Sequence, residues 1–316
     1  MSPFNSLQLQ RNQLRYSQRI KITHLITPYI AESEDGMLLS TIAVLGLPYE
    51  TLSNEALNAQ KNAWHRALTA LSEQLAIHVS LHREQIKMDL TGDFYDNFRR
   101  QFDTDYQQSC LDEGFYQNHW YITIIHKGLA FKPHHNSVWQ VLSRQALQLG
   151  RQQARAQQLS NLHDAISQLT QSLAAWQPHC LGTHDDNLGH SELLEFLSRL
   201  FNVGKSFKSL VRQPTIFQSS IDDKPHKYSH YPRGHIGQWL CQQSIYFGRY
   251  IQFQGVTKQD NQFGAMLALK AYCNETSPSM FDAILNVPFE YILVNKAIFF
   301  FFKFVYLFFL IFFLIK

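Results

Sequence analysis

The residues Gly204, Lys205 and Ser206 spell the end of a phosphate-binding loop. The complete pattern is G-x-x-x-x-G-K-[ST], in which a glycine at each end lets backbone N–H groups curl around phosphates. Five positions before Gly204 stands Arg199, not glycine. Such a loop must also follow a buried strand and open into the positive N-terminus of a helix. Here Leu193, Leu194, Leu197, Leu200 and Phe201 recur at helical spacing on the amino-terminal side. Gly204 therefore reads as a helix C-cap glycine, with Lys205 and Lys208 near the negative helix end.

The second candidate is metal chemistry, because the chain has 15 histidines and "HCLGTHDDNLGH" offers His179, Cys180, His184, Asp185, Asp186 and His190. Each type can ligate zinc, yet the spacing matches no zinc pattern, and chance clustering in polar loops is the plainer reading. His226 and His230 lack the glutamate that H-E-x-x-H requires. His78 and His82 lie on one side of an expected strand, but four residues of strand separate them by ~13 Å, too far to share an ion. Nucleophilic chemistry finds no G-x-S-x-G elbow and no cysteine in a recognised catalytic setting. In "GDFYDNFRRQFDTDY" the carboxylates Asp93, Asp96, Asp103 and Asp105 are interleaved with Arg99 and Arg100. A solvated helix or loop with weak local ion pairs explains that run better than paired catalytic acids.

The elements that would position these residues follow from periodicity. Asp35-Gly36 divides two apolar runs and favours a hairpin. Ser53 can cap a helix striped by Leu57, Trp64, Leu68, Leu71 and Leu75, which passes into strand at "IHVSLH". Trp120 to Ile125 is a β-branched and aromatic run suited to a central strand. From about Val138 to Trp176 one long, Gln-rich amphipathic helix is expected, facing its own core rather than a coiled-coil partner. A polar turn is expected from Gln177 to Asn187, and a long functional loop near 213–237. Ile245, Phe247, Ile251 and Phe253 suggest one strand, returning through Ala265, Leu267 and Leu269 after a turn near Lys258 to Asn261. Ser277 with Pro278 signals a short helix, closed by Pro288 before the strand "FEYILV". The fold class is α+β: antiparallel hairpins and a mixed sheet packed with helices.

The 316 residues suffice for one large domain or two ordinary ones. A net charge of +3 with dispersed Lys and Arg gives no direct nucleic-acid signal. Cys110, Cys180, Cys241 and Cys273 make no disulfide framework, which fits a reducing compartment. The polar N-terminal segment, residues 1–20, lacks the apolar core of a secretory signal. At the other end Ala297 to Ile315 is apolar apart from Lys303 and Tyr306. As a helix it would be ~28 Å long, enough to span a bilayer core.

Taken in order, these segments resemble the N-terminal part of the TrbE/CagE/VirB-type ATPases of bacterial type IV secretion systems. The resemblance covers roughly Pro28 to Val294. It runs through "SEDGMLLSTIAVLGLPYET", "TGDFYDNFRRQFDTDY", "NHWYITIIHK" and "SELLEFLSRLFN", and is most specific in "FGAMLALKAYCNETSPSMFDAILNVPFEYILV". It implies an α+β assembly domain over residues 21–295, working at the cytoplasmic face of the inner membrane with other type IV secretion components. It also implies homo-oligomers in the intact family, and a separate C-terminal RecA-like domain that holds ATP and Mg. Residues 296–316 instead form a hydrophobic tail. No catalytic, cofactor-binding or metal-ligating residue can be carried over, so the chain is expected to be inactive, without a cofactor of its own.

From Ile298 to Lys316 only Ile, Phe, Lys, Val, Tyr and Leu occur, and all but Val305 can be encoded with A and T alone. That composition favours a frameshift or insertion near Asn295 that replaced the motor domain, leaving a truncated transport-ATPase component. A tail anchor flanked by Lys296 and Lys316 is the alternative, and aggregation is a third outcome for so Phe-rich a segment. Two other functions stand beside the secretion reading: a metal-dependent hydrolase using residues 179–190, and a tail-anchored membrane scaffold.

Overall fold

The computed structural model describes residues 20–46, 51–86, 95–113, 115–127, 144–184, 191–202, 236–241, 243–248, 250–255, 261–269, 287–300 and 303–314. Pro28 and Tyr29 split the first apolar run, so three strands form where two were expected: β1 (Ile22–Thr27), β2 (Ile30–Ser33) and β3 (Leu38–Val44). The Asp35-Gly36 hairpin joins β2 to β3. Gly36 takes φ +73°, which an L side chain resists, and its N–H donates to the Ser33 carbonyl at 2.9 Å.

Helix α1 (Asn54–Thr69) begins where expected, because the Ser53 hydroxyl accepts from the Ala56 N–H at 3.3 Å. Strand β4 (Leu75–Ile86) follows, then α2 (Asn97–Glu113) and β5 (Phe115–His126). β5 inserts between β3 and β4 and pairs antiparallel with both, making it the interior strand that its β-branched composition predicts.

The long helix is α3 (Arg144–Ser172), followed by a 3-10 turn at Ala174–Trp176. Residues 138–143 lie outside the described residues. The turn expected at Gln177 to Asn187 instead contains a short strand, β6 (Pro178–Cys180), which fills the edge of β3 beyond the end of β2. Gln177 takes φ 50° to turn the chain there. Helix α4 (Glu192–Arg199) is capped by Ser191, whose hydroxyl accepts from the Leu194 N–H at 3.2 Å. Its C-cap is Leu200, so Gly204 is not the residue that ends it. Gly204, Lys205, Ser206 and Lys208 lie outside the described residues.

Of the loop expected at 213–237, residues 213–235 are likewise outside, while Ile236 and Gly237 open the short helix α5 (Ile236–Leu240). The single strand expected through Phe253 is two, β7 (Ile245–Phe247) and β8 (Ile251–Phe253), paired as a hairpin. β8 continues the meander to β9 (Gln262–Leu269). The helix expected after Ser277 falls on residues that are not described.

The hydrophobic helix expected over Ala297 to Ile315 does not form. β10 (Tyr291–Phe300) runs on through Lys296 and pairs with β11 (Lys303–Leu314), from Tyr291 opposite Phe312 to Phe300 opposite Lys303. Ala297 and Ile298 pair with Ile77 and Ala76 of β4, and β11 pairs with β9. Phe, Ile, Val and Tyr suit the pleated surface of a sheet, and here β4 and β9 present edges on which such strands complete their hydrogen bonds. Among the described residues no helix is long and apolar enough to cross a membrane.

The architecture is α+β. The sheet order is β1-β2-β3-β5-β4-β10-β11-β9-β8-β7, with β6 on β3. Every pairing among the described residues is antiparallel, so the expected mixed sheet is not what forms. One face carries Leu38, Ile42, Leu75, Ile77, Ile122 and Ile124 against Leu68 of α1 and Leu162, Ile166, Leu169 and Leu173 of α3. That is the core-facing role expected of the long helix. The other face packs Ala31 and Tyr121 against Leu193, Leu194, Phe196 and Leu197 of α4 and Ile236 and Leu240 of α5.

Candidate functional site

The densest polar network surrounds the first turns of α4. Glu192 accepts from the Gly182 N–H at 2.9 Å and lies 2.8 Å from His179 Nε2. Burial alone would push its carboxyl up, but the Gly182 and His179 hydrogen bonds outweigh that and hold it below the ordinary value. Three residues on, Glu195 lies 3.1 Å from His184 Nε2 and accepts from Arg199 Nη2 at 2.9 Å. Arg199 also approaches Glu84 of β4 at 3.7 Å. Both carboxylates sit in the first turn of α4, where the helix dipole favours negative charge.

This arrangement ties the loop after β6 to α4, and α4 to the sheet. His179 and His184 are each turned toward a carboxylate, while the Cys180 sulfur lies 3.7 Å from the Ser40 hydroxyl. Burial pushes the Cys180 thiol up, away from the thiolate that binds zinc. Asp185, Asp186 and His190 lie outside the described residues, and among the described residues no three ligating side chains are gathered as an ion would need.

His78 and His82 do share the α4 face of β4, as alternation predicts. His82 is buried, with its ring 4.8 Å from Tyr121 and 5.5 Å from Phe196, a packing role. His78 lies opposite Lys296 of β10.

An apolar groove opens on the other face, between α1 and the ends of β3 and β5. It encloses about 930 Å³ and is lined by Leu45, Leu57, Trp64, Trp120 and Trp176, with Gln60 and Lys61 at its border. Trp64 and Trp176 stack at 6.2 Å between centroids, and Trp176 Nε1 donates to Gln60 Oε1 at 3.2 Å. Leu45 remains 80% exposed and Trp120 39%. Shape and lining suit apolar contact; the groove offers no nucleophile with a base beside it. Sequence reasoning placed Trp64 and Trp120 in a helix and a strand. It missed the groove because Trp176 arrives from a third element more than fifty residues away.

Residues 30–132, which run from β2 through β5, match the family model described as type IV secretion system ATPase VirB4/TrbE, N-terminal domain. Residues 180–307, from the end of β6 into β11, match the model of the CagE, TrbE, VirB family, component of type IV transporter system. The chain is 21% identical over 280 residues to the type IV secretion system protein virB4 of Bartonella quintana (strain Toulouse), covering 87% of this chain and 32% of that protein. It is 20% identical over 280 residues to the virB4 protein of Bartonella henselae, with the same coverage. The chain thus spans about a third of the length of the curated relatives it matches. The two matched spans follow one another in family order, and the pairing of β4 with β10 knits them into one sheet; the chain belongs to the VirB4/TrbE family of type IV secretion ATPases, as their N-terminal region.

Proposed function

We propose that this chain serves a type IV secretion ATPase as its assembly region, binding other secretion components, and that nucleotide hydrolysis is performed by other parts of such proteins. The observation that carries the reading is the open apolar groove of Trp64, Trp120 and Trp176 on a sheet packed on both faces, with Trp64 and Trp120 inside the span matched to the VirB4/TrbE N-terminal domain. Exposed aromatic side chains in a concave apolar site are the usual anchors of protein contacts. The working place that fits is the cytoplasmic face of the bacterial inner membrane, where such components assemble. ATP and Mg belong, on this reading, to the whole ATPase and not to this region.

Affinity capture with the tagged chain in a host that expresses a type IV system tests the proposal. Other components of that system are expected to co-purify, and Trp120→Ala, at a partly exposed position, is expected to weaken capture while leaving the fold intact. Recovery of none of them, or displaceable binding of a fluorescent ATP analogue at micromolar affinity, would sink it.

A further inference from the structure

A second cavity, of about 430 Å³, lies on the α4 face of the sheet. Residues from both ends of the strand order reach it: Ile22 of β1 and Leu39 of β3 from one end, Ile251 and Phe253 of β8 from the other, with Leu197 of α4 among them. Phe247 and Met266 also line it and are 55% and 59% exposed, so the space opens toward the surface there. Protein interiors keep few voids larger than a water molecule. Volumes of ~300–1,000 Å³ are those of small-molecule sites.

The floor of the cavity is not uniformly apolar. Strand register sets Thr41, Thr123 and His78 side by side across β3, β5 and β4, and Ser80 follows on the same face of β4. Thr123, His78 and Ser80 line the cavity. The Thr123 hydroxyl is already engaged with that of Thr41 at 3.0 Å. Ser80 is only 4% exposed, and its hydroxyl has no hydrogen-bond partner among the described residues. A buried hydroxyl left in that condition costs stability that an alanine would not. Its neighbours across the strands are Tyr121 and Val294, so the sheet itself gives no reason for a serine there.

The lining also selects the kind of ligand. Among the described residues that line the cavity there is no carboxylate, ammonium or guanidinium. A charged head group would lose its hydration there without an opposite charge to meet. A neutral hydroxyl or carbonyl oxygen needs no more than one hydroxyl partner. We infer that this cavity binds an uncharged medium-chain alkyl or acyl molecule with one oxygen at its head, which bonds Ser80 Oγ while the chain lies among Leu197, Ile251, Phe253 and Ile292. At ~30 Å³ for each water-sized unit, the space holds roughly a dozen non-hydrogen atoms, which sets the chain at about ten carbons. Such a ligand bridges α4, the β7–β8 hairpin and the central strands. The site is separate from the tryptophan groove and from the assembly reading built on it.

Calorimetric titration of the full chain with 1-hexanol, 1-octanol and 1-decanol, each below its solubility limit, tests the assignment. One decanol per chain is expected, with Kd on the order of 10–100 μM and a loss of about fourfold in affinity for each methylene removed. Decanoate and decylammonium should bind at least about tenfold more weakly. Ser80→Ala should weaken decanol binding about two- to tenfold, while leaving the melting temperature unchanged or raised because a buried unpaired hydroxyl is gone. Val294→Phe fills the cavity and should abolish binding, with circular dichroism reporting that the fold is kept. No saturable binding of decanol, affinity indifferent to chain length or to Ser80→Ala, or decanoate binding more tightly than decanol would each overturn the inference. So would many alcohols taken up per chain, which is surface adsorption, or binding lost with Trp120→Ala, which would put the alcohol in the tryptophan groove.

Discussion

Asn202 shows how much one buried polar side chain can organise. Its Nδ2 donates to the carbonyls of Ser198 at 2.8 Å and Leu240 at 2.6 Å, and its Oδ1 accepts from the Gln243 N–H at 3.2 Å. It thereby closes the end of α4 and fastens it to the end of α5. Removing its side chain takes this acceptor from the Gln243 N–H and one donor each from the Ser198 and Leu240 carbonyls, which keep the Asn202 N–H and the Ser198 hydroxyl; weakening such a buried network costs about 1–3 kcal/mol. Asn202→Ala is expected to lower unfolding stability by about 2–3 kcal/mol in urea titrations, with an unchanged m-value. Two other groups set the response to acid. Burial holds His126 below its ordinary 6.5, against the pull of its contact with the Lys127 carbonyl. Glu192 is held below its ordinary 4.5 by the contacts described above. In both cases the unfolded chain takes up a proton at a higher pH than the folded one. The stability each group contributes is therefore complete above its ordinary value and is lost as pH falls through the lowered one. Melting temperatures measured from pH 7.5 downward should decline first below 6.5 and again below 4.5. His126→Gln should flatten the first decline and Glu192→Gln the second.

At the scale of elements, periodicity carried most of the information. Ser53, the α3 stripe and the Asp35-Gly36 turn were legible because each is a local device whose chemistry lies within a few residues. Ser53→Ala should cost about 1 kcal/mol, the usual worth of an N-cap. Leu169→Ala, at a fully buried position against the sheet, should cost about 2–5 kcal/mol; thermal and urea unfolding of both variants checks the ranking. β6 was not legible, because a three-residue strand with proline and histidine has no periodicity and exists only through the free edge of β3. The tail was misread for a related reason. An unbroken apolar run satisfies a helix in lipid and a strand between two strands equally well, and β4 and β9 decide between them.

The whole molecule is held together at the pairing of β4 with β10, where the amino-terminal and carboxy-terminal matched spans become one sheet. Tyr291 and Leu293 of β10 bury themselves with Leu81 of β4 at this seam. If the sheet unfolds as one unit, Tyr291→Ala, in a chain whose Trp139 and Trp239 are replaced by Phe, should lower the transition reported by the fluorescence of Trp64, Trp120 and Trp176, all amino-terminal to the second matched span, by about 3 kcal/mol. A tryptophan transition that stays in place would show two independent units. By itself the sequence determined the α+β class, most element types, the mismatch of Gly204-Lys205-Ser206 to a phosphate loop and the secretion-ATPase resemblance, because each rests on local spacing or on residues read in order. Only the tertiary structure decided the strand order, the strands in place of the tail helix, the carboxylate partners of His179 and His184, and the groove of Trp64, Trp120 and Trp176. Those features depend on which distant residues meet, and that is not written in the spacing of any one segment.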